Sequence, residues 1–194
     1  MTAPARILTV CTGNVCRSPF LERALQTELD RSWGPGAVEV RSAGTGALVD
    51  DPMDPSARER LEQAGYAADG FRARQLTADL VAAADLVLTA TRAHRAQVAQ
   101  LHPRALRYVF SFREFADLVS GVGPERLGSV DGDAAAHVAT VVSLAAGQRG
   151  LRPPLSDEDA DIVDPFRRAP EVFDRMRRQI EDSMPVVVRA LGRS

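Results

Sequence analysis

Val10-Cys11-Thr12-Gly13-Asn14-Val15-Cys16-Arg17-Ser18-Pro19 joins an apolar run to a helical one. Upstream, Ile7-Leu8-Thr9-Val10 is short, apolar and β-branched at its end, which favours a buried strand over a helix. Downstream, Ser18 suits a helix N-cap and Pro19 the first helical position. Phe20, Leu21, Ala24, Leu25 and Leu29 then recur at helical spacing, so a helix is predicted to about Trp33, where Gly34-Pro35-Gly36 stops it. Between strand and helix lies a tight loop with a cysteine at its start and an arginine near its end.

Such a loop is a cradle for a tetrahedral oxyanion. A ring of backbone N–H groups and a helix N-terminus both favour an anion at its centre, and Arg17 adds a full positive charge. Little of an ordinary thiol is ionised at neutral pH, because cysteine titrates near ~8.5. The three influences together favour the Cys11 thiolate, the form that attacks phosphorus. The same donors fit phosphate oxygens, two of which Arg17 can take in a bidentate fork. Thr12, Gly13, Asn14, Val15 and Cys16 complete the substrate-binding loop. Gly13 is read as the residue that allows unusual dihedrals without a Cβ in the way. Asn14 tolerates left-handed backbone and can brace the loop with its side chain. Ser18 has two roles open to it, capping the helix or donating to the Cys11 sulfur. Cys-x5-Arg alone arises by chance in many chains. The whole string between a strand and a helix is far more specific, and its plain alternative is a buried cysteine pair in a strand-helix turn.

The rest of the chain alternates in the same way. Val38 to Ser42, Asp85 to Thr89 and Arg107 to Phe110 read as strands. Helices are predicted from Asp54-Pro55 to about Gly65, and over Thr77 to Ala83, Thr91 to Leu101 and Phe112 to Val119. This pattern predicts an α/β fold, a parallel sheet covered on both faces, with ligands at the carboxyl ends of the strands. Gly121, Gly123, Pro124 and Gly128 suggest a loop, Asp133 can cap a helix over Ala134 to Ala146, and Ser156-Asp157-Glu158-Asp159 reads as an exposed acidic loop. The segment 120–159 is taken as a solvated insertion in a single domain of residues 1–194. Phe173, Met176, Ile180, Met184, Val187 and Leu191 fall on one stripe of a last helix, which Pro185 should kink.

Composition sets limits. The net charge of -2 demands neither nucleic acid nor an anionic membrane as partner. No run of about 18 apolar residues offers a spanning helix. Met1 to Arg6 is too short, and too soon followed by a strand, for a secretory signal, so a cytoplasmic location is expected. Cys11 and Cys16, the 2 cysteines, lie in one loop and form no disulfide framework. No zinc pattern is present, so no metal or cofactor is expected. His94, His102 and His137 are scattered and read as surface or packing residues.

A displaced leaving oxygen needs a proton, hence a general acid from elsewhere in the chain. Asp161-Ile162-Val163-Asp164-Pro165-Phe166 offers Asp164, with Pro165 stiffening the chain after it and Phe166 able to wall the pocket. Asp161 is the alternative acid, and Asp164-Pro165 also suits a merely structural start to the last helical region.

At this point the residues resemble a family, the low-molecular-weight protein tyrosine phosphatases. The resemblance runs from about Arg6 to Phe110 and resumes from Asp161. Its carriers are Cys11 to Pro19, Arg41-Ser42-Ala43-Gly44-Thr45, Ala73-Arg74-Gln75-Leu76, Ala84 to Leu88, and Asp164-Pro165-Phe166. It implies a three-layer α/β/α fold with a four-stranded parallel sheet of order 2-1-3-4. It implies Cys11 as nucleophile through a phosphocysteine intermediate, Arg17 as phosphoryl ligand and Asp164, rather than Asp161, as the acid that later activates water. Ser18 would stabilise the thiolate, and Asn14 and Ser42 would hold the loop in shape. Cys16 resembles a second loop cysteine that can form a reversible disulfide with the nucleophile. The substrate implied is a phosphorylated protein. Three departures stand out: Phe71 where many members carry histidine, Phe166 where many carry tyrosine, and the long segment 120–159.

Three rival functions follow. A protein-arginine phosphatase looks similar, with a threonine tending to occupy the position of Val15, so apolar Val15 favours phosphotyrosine. An arsenate reductase on this fold needs further cysteines, which the chain lacks. A non-catalytic phosphate-binding regulator has only Phe71 and the insertion in its favour.

Overall fold

The computed structural model describes residues 3–127 and 133–193. Strands β1 (Ala5–Cys11), β2 (Val38–Gly44), β3 (Leu86–Thr89) and β4 (Val109–Ser111) form one parallel sheet of order β2-β1-β3-β4. β1 runs one residue beyond its apolar stretch, so Cys11 is the last residue of a central strand. β4 starts later than its apolar pattern predicts, because Pro103–Arg107 forms a 3-10 turn that brings Tyr108 to the sheet edge.

Alternation along the strands builds two cores. Leu8 and Val10 of β1, Val87 and Val109 face one side, under α3 (Ala78–Ala82) and α4 (Arg92–Leu101), with Val81 and Val98 packed on them. Ile7, Leu86, Leu88 and Phe110 face the other, larger core. It is covered by α1 (Arg17–Trp33), α5 (Phe112–Ser120), α7 (Ala134–Gln148) and α9 (Pro170–Leu191). The α9 stripe is buried as its spacing predicts, and the helix continues through Pro185, with Met184 and Val187 buried on either side. α2 (Pro55–Gln63) begins at Asp54, whose carboxylate accepts from the Ser56 and Ala57 amides.

The solvated-insertion reading is corrected. Val138, Val141, Val142 and Ala145 of α7 are buried in the larger core, at the 3-4 spacing that puts them on one face. Asp133 caps this helix by accepting from the Ala136 amide, as its sequence position predicts. Two expected loops contain helical turns: α6 (Pro124–Leu127) and α8 (Asp157–Ala160), the latter capped by Ser156. Gly128 lies outside the described residues, as do Met1 and Thr2 of the segment read against a secretory signal. Among the described residues no helix is long and apolar enough to cross a membrane.

Candidate active site

Thr12 to Cys16 form the loop between β1 and α1, at the carboxyl end of a central strand. Its carbonyls are turned outward. Those of Cys11, Thr12 and Gly13 accept from the amides of Thr45, Gly46 and Leu48 at 2.9, 3.0 and 3.0 Å, and that of Val15 from Asp54 at 2.9 Å. Among the described residues, the amides of Gly13 to Arg17 have no backbone acceptor. Such unpaired loop amides at a helix N-terminus suit an anion.

The backbone demand falls elsewhere than on Gly13. Asn14 holds the left-handed conformation, with φ 54, while a Cβ on Gly13 would meet Val15 only at an ordinary 3.5 Å. Gly44 is the glycine the loop requires: a Cβ there would lie 2.3 Å from the Thr12 carbonyl. Asn14 earns its strained backbone through its side chain. Oδ1 accepts from the Arg74 amide at 2.8 Å, and Nδ2 donates to Ser18 Oγ at 2.9 Å and Ser42 Oγ at 2.8 Å. Ser42 in turn donates to buried Glu22 at 2.5 Å. Ser18 Oγ lies 3.0 Å from Cys11 Sγ. Since Ser18 accepts from Asn14, its own proton is free for the sulfur. Ser18 does not cap α1: Cys16 holds that position, without a side-chain cap. Phe71 is buried in the larger core, and the chain of hydrogen bonds ends on Glu22, which faces Arg23 at 3.8 Å.

Arg17 is 4% exposed. Its Nη1 donates to the Ile162 carbonyl at 3.3 Å, and its Nη2 pairs with Asp164 Oδ2 at 2.9 Å. Among the described residues, its buried Nε has no hydrogen-bond partner, a fit for a phosphoryl oxygen. Asp164 is exposed and accepts from the Phe166 amide at 3.2 Å. Cys11, Arg17, Asp164, Phe166 and Leu48 enclose a cavity of about 140 Å³. Asp161, the other candidate acid, has its carboxylate bonded to the first amide of α4, at Arg92, 2.8 Å away.

The segment that carries Asp164 is held by residues that no sequence signal marked. Gln179, on α9 beside the apolar stripe, accepts from the Val163 amide at 2.8 Å and donates to the Asp161 carbonyl at 3.4 Å. Leu48 adds an apolar wall. His94, read as a packing or surface residue, is buried against the loop. Its Nε2 lies 2.9 Å from Thr12 Oγ1 and its Nδ1 2.7 Å from Thr91 Oγ1.

Two groups of the site have shifted pKa values. Burial, with the nearby carboxylate of Asp54, pushes the Cys16 thiol up, so it stays protonated; both cysteines are free. Burial, reinforced by the Arg17 charge, lowers His94 from 6.5 to about 4. Above pH 6.5 the imidazole is neutral in both the folded and the unfolded chain. Between 6.5 and about 4 the unfolded chain takes up a proton that the fold refuses, so stability falls with pH and levels off below that window. The loss reaches roughly 3 kcal/mol. Urea unfolding across this window is expected to show that decline, and His94→Gln to flatten it.

Fold, loop and distant aspartate define a cysteine-dependent phosphatase class. The family model described as "Low molecular weight phosphotyrosine protein phosphatase" matches residues 6–123. Etp of Escherichia coli (strain K12), a low molecular weight protein-tyrosine-phosphatase, is 35% identical over 146 residues, 75% of this chain and 93% of that protein. The chain belongs to the low molecular weight protein-tyrosine-phosphatase family. Among solved structures it resembles the tyrosine phosphatase Wzb from Escherichia coli K30 in complex with sulphate, with TM-score 0.66, 27% identity, and 96% of this chain and 98% of that one covered. It also resembles the YwlE arginine phosphatase from Geobacillus stearothermophilus, with TM-score 0.65, 29% identity, and 95% and 91% covered.

Proposed function

We propose that this chain hydrolyses phosphotyrosine in proteins through a phosphocysteine intermediate. The observation that carries the reading is Arg17: buried, lining one cavity with Cys11, with Nε unpartnered among the described residues and Nη2 on Asp164 at 2.9 Å. Arg17 and the loop amides hold the phosphoryl oxygens. The Cys11 thiolate forms the S–P bond as the P–O ester bond breaks, and Asp164 protonates the departing phenolate. The Asp164 carboxylate then takes a proton from water, whose oxygen attacks phosphorus and releases orthophosphate and the thiolate. Ser18 steadies the sulfur anion, and Phe166 flanks the aromatic ring of the substrate. Residues 1–194 are read as one phosphatase domain, because α7 packs into the same core as α1, α5 and α9. A cytoplasmic location fits this reading.

The likeness to an arginine phosphatase makes phosphoarginine the second reading. Val15 decides for phosphotyrosine: it is 4% exposed, lines the cavity, and offers a guanidinium no hydrogen-bond acceptor from its side chain. Paired assays on phosphotyrosine and phosphoarginine peptides are expected to give at least about tenfold higher kcat/KM on phosphotyrosine. Preference for phosphoarginine would overturn the choice.

A further inference from the structure

The turn that leaves β3 touches both halves of the site. Ala90 donates to the Val10 carbonyl at 2.7 Å and accepts from the Ile162 amide at 2.8 Å. His94, one turn into α4, extends this brace with its side chain. It is 6% exposed and bonded at both ring nitrogens, to Thr91 on its own turn and to Thr12 on the cradle.

The hydroxyl partners favour one tautomer. Thr91 Oγ1 already accepts from the His94 amide at 3.2 Å. Among the described residues, His94 Nδ1 is the acceptor within reach of the Thr91 O–H, at 2.7 Å. With the Thr91 O–H turned to Nδ1, that nitrogen accepts, and a neutral imidazole then carries its proton on Nε2. Burial and Arg17 keep the ring neutral, as its lowered pKa of about 4 records. Nε2–H points at Thr12 Oγ1, 2.9 Å away, and Thr12 lines the same cavity as Cys11 and Arg17. With its oxygen occupied as an acceptor, the Thr12 hydroxyl keeps its own proton free.

We propose that His94 is a positioning residue for oxyanion binding: it donates from Nε2 to Thr12 and so turns the Thr12 O–H toward the phosphoryl oxygens. Thr12 thereby adds a side-chain donor to the ring of backbone amides. The opposite tautomer would accept the Thr12 proton and spend it on the ring. The inference rests on the phosphatase reading of the cradle, but its ligand is the oxyanion itself.

The test is orthophosphate affinity, by calorimetry, for wild type, His94→Ala, His94→Gln, Thr12→Val and the double variant His94→Ala/Thr12→Val. His94→Ala and Thr12→Val are each expected to weaken orthophosphate about tenfold, the worth of one hydrogen bond to a charged group. The double variant is expected to be no weaker than either single one, since both remove the same donor. His94→Gln, with an amide nitrogen near the place of Nε2, is expected to restore most of the affinity. Imidazole nitrogen NMR is expected to find the proton on Nε2. Losses that multiply in the double variant, a proton on Nδ1, or a Thr12→Val protein that binds orthophosphate like wild type would each overturn the proposal. Thr12→Val leaves the buried imidazole in place, so it reads the effect even where His94→Ala does not fold. Because affinity is measured without turnover, failure of this inference is distinguishable from failure of the hydrolase reading.

Discussion

Cys11→Ser is expected to abolish hydrolysis of para-nitrophenyl phosphate, with kcat falling at least about a thousandfold. Cys11 Sγ sits at the end of β1, with the Ser18 hydroxyl at 3.0 Å and the Arg17 charge alongside. Sulfur is intrinsically a far better nucleophile at neutral pH than a hydroxyl, so a serine in its place keeps the shape but not the reactivity. The folded loop remains, because Asn14, Ser18, Ser42 and Glu22 hold it without the sulfur. Cys11→Ser is therefore expected to bind orthophosphate while failing to turn over. Steady-state assays alongside calorimetry check this. Full activity in the variant would rule out the phosphocysteine route.

Asp164→Asn is expected to lower kcat on phenyl phosphate by about a hundredfold to ten-thousandfold, the usual range for loss of a general acid. The loss on para-nitrophenyl phosphate is expected to be smaller, since that leaving group needs less help from a proton. The contrast with Asp161 sharpens the test. The Asp161 carboxylate accepts from the Arg92 amide at 2.8 Å, and an asparagine oxygen does the same. Asp161→Asn is expected to stay within a few-fold of wild type on both substrates, by ordinary hydrogen-bond bookkeeping. Equal kcat losses in the two variants, or no leaving-group dependence in Asp164→Asn, would remove Asp164 from the acid role.

Much of the site is local in the chain and was legible there. A strand through Val10, a loop opening at Cys11 and a helix beginning near Ser18-Pro19 lie within one stretch, and local spacing places them to within a residue or two of their bounds in the fold. The α9 stripe and the parallel sheet were legible for similar reasons, once apolar runs alternated with helical ones, whereas the strand order came only from the family resemblance. What tertiary structure decided involves partners far apart in sequence. Asp161 and Asp164 are chemically alike and three residues apart. Only the fold spends one on the Arg92 amide and sets the other on Arg17. Gly13 looked like the residue freeing the loop. The close approach is instead at Gly44, because β2 passes against the Thr12 carbonyl. The segment 120–159 looked solvated, because one helix of small and β-branched residues shows little contrast between its faces. Packing against the sheet buried one face of that helix. His94 carried no signal at all, since Thr12 lies 82 positions earlier and no pattern in the chain encodes a contact at that distance. The amino-acid sequence by itself determined the loop from Cys11 to Arg17 and the helices and strands around it, through local spacing. The tertiary structure decided where the two aspartates are placed and which buried side chains brace the loop, because those placements depend on hydrogen bonds between segments that meet only after the chain has folded.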